Sequence, residues 1–395
     1  MKKRLLVLLA MLALLCAGSA MAETVEYVNR VWENNAVTKT NETAENCTAV
    51  TASDTAWGTA GSKSWYVVSS DVTNSGRITV NGDVHLILMD GKTLTASQGV
   101  AVTAGNSLTI YGQTNDTGTM TATGSGGNAG IGGGSNGGTI TIRGGMITAQ
   151  GGYGGAGIGS GELYDDNNVA QGTVTIEGGT VNATGGINGA GIGSGKSGNA
   201  TVTISGGTIE MAQGGNGGAG IGSGENGDAR VIIQGGTIMK AEGGTNGAAI
   251  GGHNGSATVI IQGGSVNADP QKVDSPRDGM SNEVFLHTLT LDGAADGTPI
   301  ESAKGTVGYG VKDVRTIGDK LYFWLPGSSE ISRLLAGGVR YWNQGNGWFT
   351  MEKPDGGMPQ EAQNLPQTGD PSMLSAWVCL LAASGAMGMK MRRKK

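Results

Sequence analysis

Cysteine is almost missing from this chain. Of the three present, Cys16 and Cys379 lie in apolar end segments, so Cys47 stands alone between them and no intrachain disulfide is available there. A lone thiol can be a reactive group or an intermolecular link, but a shielded, inert Cys47 is the expectation. Aromatic residues amount to only 5%, and 75 glycines take the place of the usual core formers. That composition excludes an ordinary globular domain and points to a repeat or fibrous architecture. Histidine is scarce too: His85, His253 and His287 are far apart and bring no ligand spacing or nucleophile motif with them, so no metal and no cofactor is expected. Basic side chains are few outside the ends. Eight of the 26 basic and one of the 32 acidic residues fall in the end segments, which leaves 18 against 31, a net charge of about −13. Phosphate binding needs concentrated Lys and Arg, so nucleic acid is excluded as a partner.

Both ends carry processing signals. Lys2-Lys3-Arg4, the apolar run Leu5 to Ala17 and the small-residue site Ala20-Met21-Ala22 read as a signal peptide over 1–22, cleaved before Glu23. Near the other end, Leu365-Pro366-Gln367-Thr368-Gly369 is followed by an apolar segment over 373–389 and a basic tail, Lys390 to Lys395. As a helix that segment is about 26 Å long, enough to lodge in a bilayer while the basic end stays cytoplasmic. In this order the three features resemble the sorting signal, here 365–395, of LPxTG wall-anchored proteins of Gram-positive bacteria. The resemblance implies that a sortase attacks the Thr368 carbonyl, releases Gly369 onward and passes Thr368 to a peptidoglycan amine. Membrane contact is then transient, and the chain is a substrate of the sortase.

Between the ends, 48 of the glycines fall from Gly124 to Gly264. Aligning the Gly-Ile-Gly cores places Ile131, Ile158, Ile192, Ile221 and Ile250 at intervals of 27, 34, 29 and 29 residues. The long interval holds an acidic insert, Glu162 to Gln171, with Asp165 and Asp166. Each unit also contains an alternating strand such as Thr173-Val174-Thr175-Ile176, a Gly pair, and a second short strand such as Thr180-Val181-Asn182-Ala183. Three columns recur. They hold Ile140, Val174, Val202, Val231 and Val259; then Ile142, Ile176, Ile204, Ile233 and Ile261; then Ile147, Val181, Ile209, Ile238 and Val266. Threonine fills most alternate positions, so one side of each strand points inward and the other to water. No single unit can bury its own apolar side. The expected fold is therefore all-β: a right-handed parallel β-helix over 65–270 with coils of about 28 residues, extended upstream by strands around Ile78, Val84 and Leu108.

Residues 23–64 are expected to cap the open end, Pro270 to Asp278 to link, 271–351 to form a small β domain, and 352–364 to tether it. The terminal apolar segments are expected as helices. Two GxGxxG matches, Gly193-Gly195-Gly198 and Gly222-Gly224-Gly227, precede strands rather than helices, which excludes a phosphate cradle. Trp324, Tyr341, Trp342 and Trp348 are the candidate ligand-binding side chains, since exposed aromatics stack on sugar rings; the same residues could instead form a small core. The position before each Gly pair reads Arg143, Glu177, Ser205, Gln234 and Gln262, a mixture expected of a solvated surface. No catalytic set emerges from it.

The whole resembles glycine-rich, β-helical surface proteins of Gram-positive bacteria with pectin-lyase-like coils. That implies a cell-wall, structural or adhesive protein with sortase and peptidoglycan as partners and glycans or a host surface as ligand. The alternative is a wall-tethered polysaccharide lyase or hydrolase, for which Asp165 and Asp166 are the best-placed acids. An acidic cleft would favour the enzyme, and a flat Thr and Asn face would favour binding.

Overall fold

Strands only two to six residues long carry most of the coils, because a glycine corner follows each alternating run and turns the chain through the next side. In a computed structural model, residues 23–163, 171–278, 280–305, 313–327, 329–345 and 348–351 are described. The terminal segments expected as helices lie outside them. Among the described residues no helix is long and apolar enough to cross a membrane.

The aligned columns stack in parallel register, coil upon coil. Ile131, Ile158, Ile192, Ile221 and Ile250 pair in succession, and Val100 and Ile78 continue the column downward. Leu108 and Val84 lie beneath Ile140, Ile110 and Leu86 beneath Ile142, and Met120 and Leu94 beneath Ile147. Each column thus has at least two more members than the aligned repeats supplied, and Val72, beneath Leu94, and Tyr66, beneath Leu86, extend two of them further. Nearly all of these side chains are fully buried and belong to one continuous apolar cluster running from Val50 to Trp324. Burying each Ile or Val contributes about 1.5–3 kcal/mol, and no coil achieves this without its neighbours.

Glycine has two separate reasons here. Gly132, Gly159, Gly193, Gly222 and Gly251 directly follow the column isoleucine at φ near +136°, and a Cβ on Gly193 would collide with the Gly222 carbonyl of the next coil. Gly220 keeps a negative φ. Its added Cβ would lie 2.7 Å from the Ala249 carbonyl, so close approach of the coils, not dihedral angle, makes it a glycine. Ala249 is tolerated because only the partial turn around Lys272 lies above it.

Most of the amino-terminal segment lies beside the coils, and its Thr48-Ala49 end pairs in parallel with Tyr66-Val67. Strands β1 (Glu23–Glu33) and β2 (Ala36–Ala49) form an antiparallel hairpin around Asn34-Asn35, both at positive φ as such a two-residue turn requires. The hairpin lies lengthwise along one corner of the coils. Its Val28 amide donates to the Gly112 carbonyl, and its Trp32 ring reaches the level of Gly235. Strand β3 (Ala56–Val68) already pairs in parallel with Thr79–Leu88, so the coils begin before residue 65. Cys47 is completely buried beneath the hairpin beside Val67 and Tyr111, and burial pushes its thiol pKa up, which leaves it inert.

At the other end, the stretch from Pro270 to Asp278 is not a free linker. Val273 bridges to Ile250 and Arg277 to Ile260, adding a partial coil. A six-stranded sheet then closes the top. Trp324 alternates with Phe323 and Leu325, so it faces the coils while they face a second core with Leu334 and Phe349. The Trp324 indole donates to the Val266 carbonyl at 3.2 Å, tying the sheet to the last coil.

Candidate functional site: a flat threonine face and a covered polar corner

The candidate ligand-binding aromatics do not converge. Trp324 is 1% exposed and Tyr341 3%, so both are core rather than platforms. Trp342 is half-buried and Arg333 lies 5.1 Å over its ring, which occupies the stacking surface. Trp348 starts the strand Trp348–Thr350, and its side chain lies outside the described residues. So do Ala20, Ala22, Asp165, Asp166 and the whole run from Leu365 through Pro366, Gln367 and Thr368 to Gly369. Glu23 opens the hairpin opposite Cys47.

The column expected at a solvated surface is instead covered by that hairpin. Arg143 donates from Nε to Glu177 at 2.8 Å and from Nη1 to Asn29 at 2.9 Å. The Trp32 amide donates to the second Glu177 oxygen at 3.0 Å. Arg30 pairs with Asp116 at 2.8 Å and donates to the Arg143 carbonyl at 2.7 Å. Farther up, Ser205 donates to Gln234 at 3.1 Å and Gln234 to Gln262 at 3.4 Å. Both oxygens of Glu177 are engaged, so this carboxylate is held as a docking group for the hairpin. Sequence position could not reveal this, because the covering residues lie more than a hundred positions away. Among the described residues, no group of three or more His, Cys, Asp or Glu side chains is placed to hold a metal.

Lower on the same corner, His85 is buried between Tyr111, 2.9 Å from Nδ1, and Asp83, 3.0 Å from Nε2, with the Trp65 ring centred 4.5 Å away. Burial lowers the His85 pKa, and this outweighs the opposing pull of Asp83; Lys63 and Arg143 add to the lowering. Burial also works to raise Asp83, but hydrogen bonds from Ser107 and His85 leave it lowered. The unfolded chain takes up the histidine proton near pH 6.5 and the folded chain only at lower pH. Stability should therefore fall as pH drops from about 7 toward 5, and Asp83 acts in the same direction at still lower pH. Thermal unfolding of wild type and His85→Gln across this range checks it: the variant should show the shallower slope.

On the side carrying the second strand of each coil, the outward positions form three columns. Thr93, Thr119, Met146, Thr180, Thr208 and Thr237 make the first, and the Thr119 hydroxyl donates to Thr93 at 2.9 Å. Thr73, Thr95, Thr121, Thr148 and Asn182 make the second. Thr123, Gln150, Thr184, Gln213 and Glu242 make the third. Successive coils are ~4.8 Å apart and neighbouring columns ~6.6–7 Å, so the result is a grid mostly of hydroxyl and amide groups, interrupted by Met146, by a register shift that sets Met211 above Asn182, and by Glu242 at its upper end. At its margin Tyr153 is 61% and Ile187 49% exposed on consecutive glycine turns. Tyr153 is an accessible aromatic outside the four candidates. Its signal was a lone ring where the equivalent turns carry Ile187, Asn216 and Thr245.

No curated protein and no solved structure matches the chain. Residues 140–162, 174–196 and 202–225, three successive coils, match the family model described as the beta helix repeat.

Proposed function

We propose that this chain is a cell-wall surface protein whose β-helix binds glycans along the flat threonine and asparagine face, as an adhesive or structural rod and not as an enzyme. The in-register grid of outward Thr, Asn and Gln carries the reading. It offers donors and acceptors at a fixed spacing to a long, repetitive ligand, with Tyr153 at the margin as a stacking surface. Beta helix repeats in the family match fit a surface or carbohydrate-related role. Wall attachment is supported by the order of pentapeptide, apolar segment and basic tail from Leu365 to Lys395.

Binding of the full-length protein to an array of neutral and charged glycans tests the first part. A Thr148→Trp, Asn182→Trp variant, which breaks the flat face without entering the core, should lose at least about tenfold in affinity while its unfolding temperature holds. Full binding by that variant would remove the face as the site. For the anchor, mass spectrometry of wall digests should find Thr368 joined to a peptidoglycan cross-bridge. Recovery of the chain in the membrane fraction with Lys395 intact would refute it.

A further inference from the structure

At the upper end of the flat face the coils leave a groove of about 830 Å3, lined by Gln213, Met239, Glu242, Gly243, Ala249 and Lys272 among others. Its origin is an interrupted hydrogen-bond ladder. In four successive coils the first glycine of the turn donates to the strand end one coil above: Gly124 to Gln150, Gly151 to Thr184, Gly185 to Gln213 and Gly214 to Glu242, at 2.7–2.8 Å. The fifth, Gly243, has no such carbonyl overhead. There the chain leaves the coil at Asp269 and enters the 3-10 turn Pro270–Lys272. The Asp269 carbonyl accepts from the Lys272 amide at 2.9 Å, and its carboxylate caps the Gln271 amide at 3.0 Å. Among the described residues, then, the Gly243 N–H has no acceptor, and it opens into the groove.

The groove's other groups narrow the ligand class. Lys240 and Lys272 balance Glu242 and Asp269, and Lys240 pairs with Glu242 at 3.0 Å, so no net charge selects an anionic chain. One unpaired donor does not suit an added peptide strand either, because a strand needs an alternating series of donors and acceptors. Met239, partly exposed on the groove wall, supplies an apolar surface in the same groove as the donor. A group with a single amide carbonyl and an adjoining methyl fits these features together.

We infer that this groove is a subsite for the acetamido group of an N-acetylated sugar, its carbonyl accepting from the Gly243 N–H. The inference rests on the glycan-binding reading of the flat face and adds to it a chemical preference and a place. An oligosaccharide lying along the face would enter the groove with one residue, and the chain would prefer N-acetylated sugars over otherwise identical sugars bearing a hydroxyl.

Titration calorimetry of the full-length protein with tetramers of β-1,4-linked N-acetylglucosamine and of β-1,4-linked glucose tests this. Wild type should prefer the acetamido tetramer by about tenfold, the worth of one well-formed hydrogen bond. Thr245→Trp, a substitution at an exposed position on the groove wall, should bring the two sugars to equal affinity, with the loss falling on the acetamido tetramer. Hydrogen exchange of the Gly243 amide in wild type gives a second readout: the acetamido tetramer should slow it and the glucose tetramer should not. Equal affinities in wild type, or a preference with unaltered Gly243 exchange, would overturn the subsite and leave the face reading standing. Failure of wild type to bind any glycan would overturn both.

Discussion

Replacing Ile192 with Asp should unfold the central coils, lowering stability by more than about 5 kcal/mol, whereas Thr175→Asp should cost little more than about 0.5 kcal/mol. Ile192 is fully buried and stacked in register between Ile158 and Ile221. The substitution forfeits about 2–3 kcal/mol of apolar burial and sets a carboxylate among buried apolar side chains. Thr175 is only half-buried and its neighbours in the column are Thr141 and Thr203, so an outward carboxylate keeps its hydration. Because coils stabilise one another through nearest-neighbour contacts, the damage at Ile192 should spread to the adjacent coils. Circular dichroism followed through thermal unfolding is the measurement. Equal unfolding temperatures for the two variants would mean that the columns do not point inward.

A large loss is also expected from the smallest possible change, Gly193→Ala. Gly193 sits at φ +138°, where an L side chain is strained, and the new methyl would meet the Gly222 carbonyl of the coil above. The backbone has no freedom to withdraw. The Ile192 amide donates to Gly220 at 3.0 Å and the Ser194 amide to Gly222 at 3.1 Å, so moving the residue away breaks the ladder on both sides. The loss should be about 3 kcal/mol or more, made of backbone strain and separated coils. Gly76→Ala is the control: its φ is not positive and the nearest group to an added Cβ, the Asn74 side chain, is 3.6 Å away. That variant should unfold within about 0.5 kcal/mol of wild type in denaturant titration. If Gly193→Ala does the same, the stacking of the Gly-Ile-Gly segments is not as described.

The inward columns were legible because they rest on local rules. Alternation with period two assigns Val174 and Ile176 to one side and Thr173 and Thr175 to the other, and the recurring Gly-Ile-Gly core aligns Ile158 with Ile192 despite the insert between them. The lower coils were less legible. Val84, Leu108 and Met120 lack the Gly-Ile-Gly signature that marks the later units, although they occupy the same columns. Of the four aromatic candidates, Trp324 and Tyr341 turned out to be core, since a sequence shows that a residue is aromatic and not which side of it is covered. The polar corner was misread for the same reason. Arg143 and Glu177 look like surface residues until Asn29, Arg30 and Trp32 are laid over them.

What the amino-acid order determined on its own is therefore the coil: strands from alternation, corners and close contacts from glycine, and a flat outward face of threonine, each set by a residue and its near neighbours. The tertiary structure alone decided what lies on top of the coil. The hairpin occupies the Arg143–Glu177 corner, the carboxy-terminal sheet seals the last coil with Trp324, and the chain's exit at Asp269 leaves the Gly243 amide open. Such contacts join segments up to about a hundred residues and more apart, and their stability comes from complementary surfaces that exist only after the coils have stacked, so no local pattern encodes them.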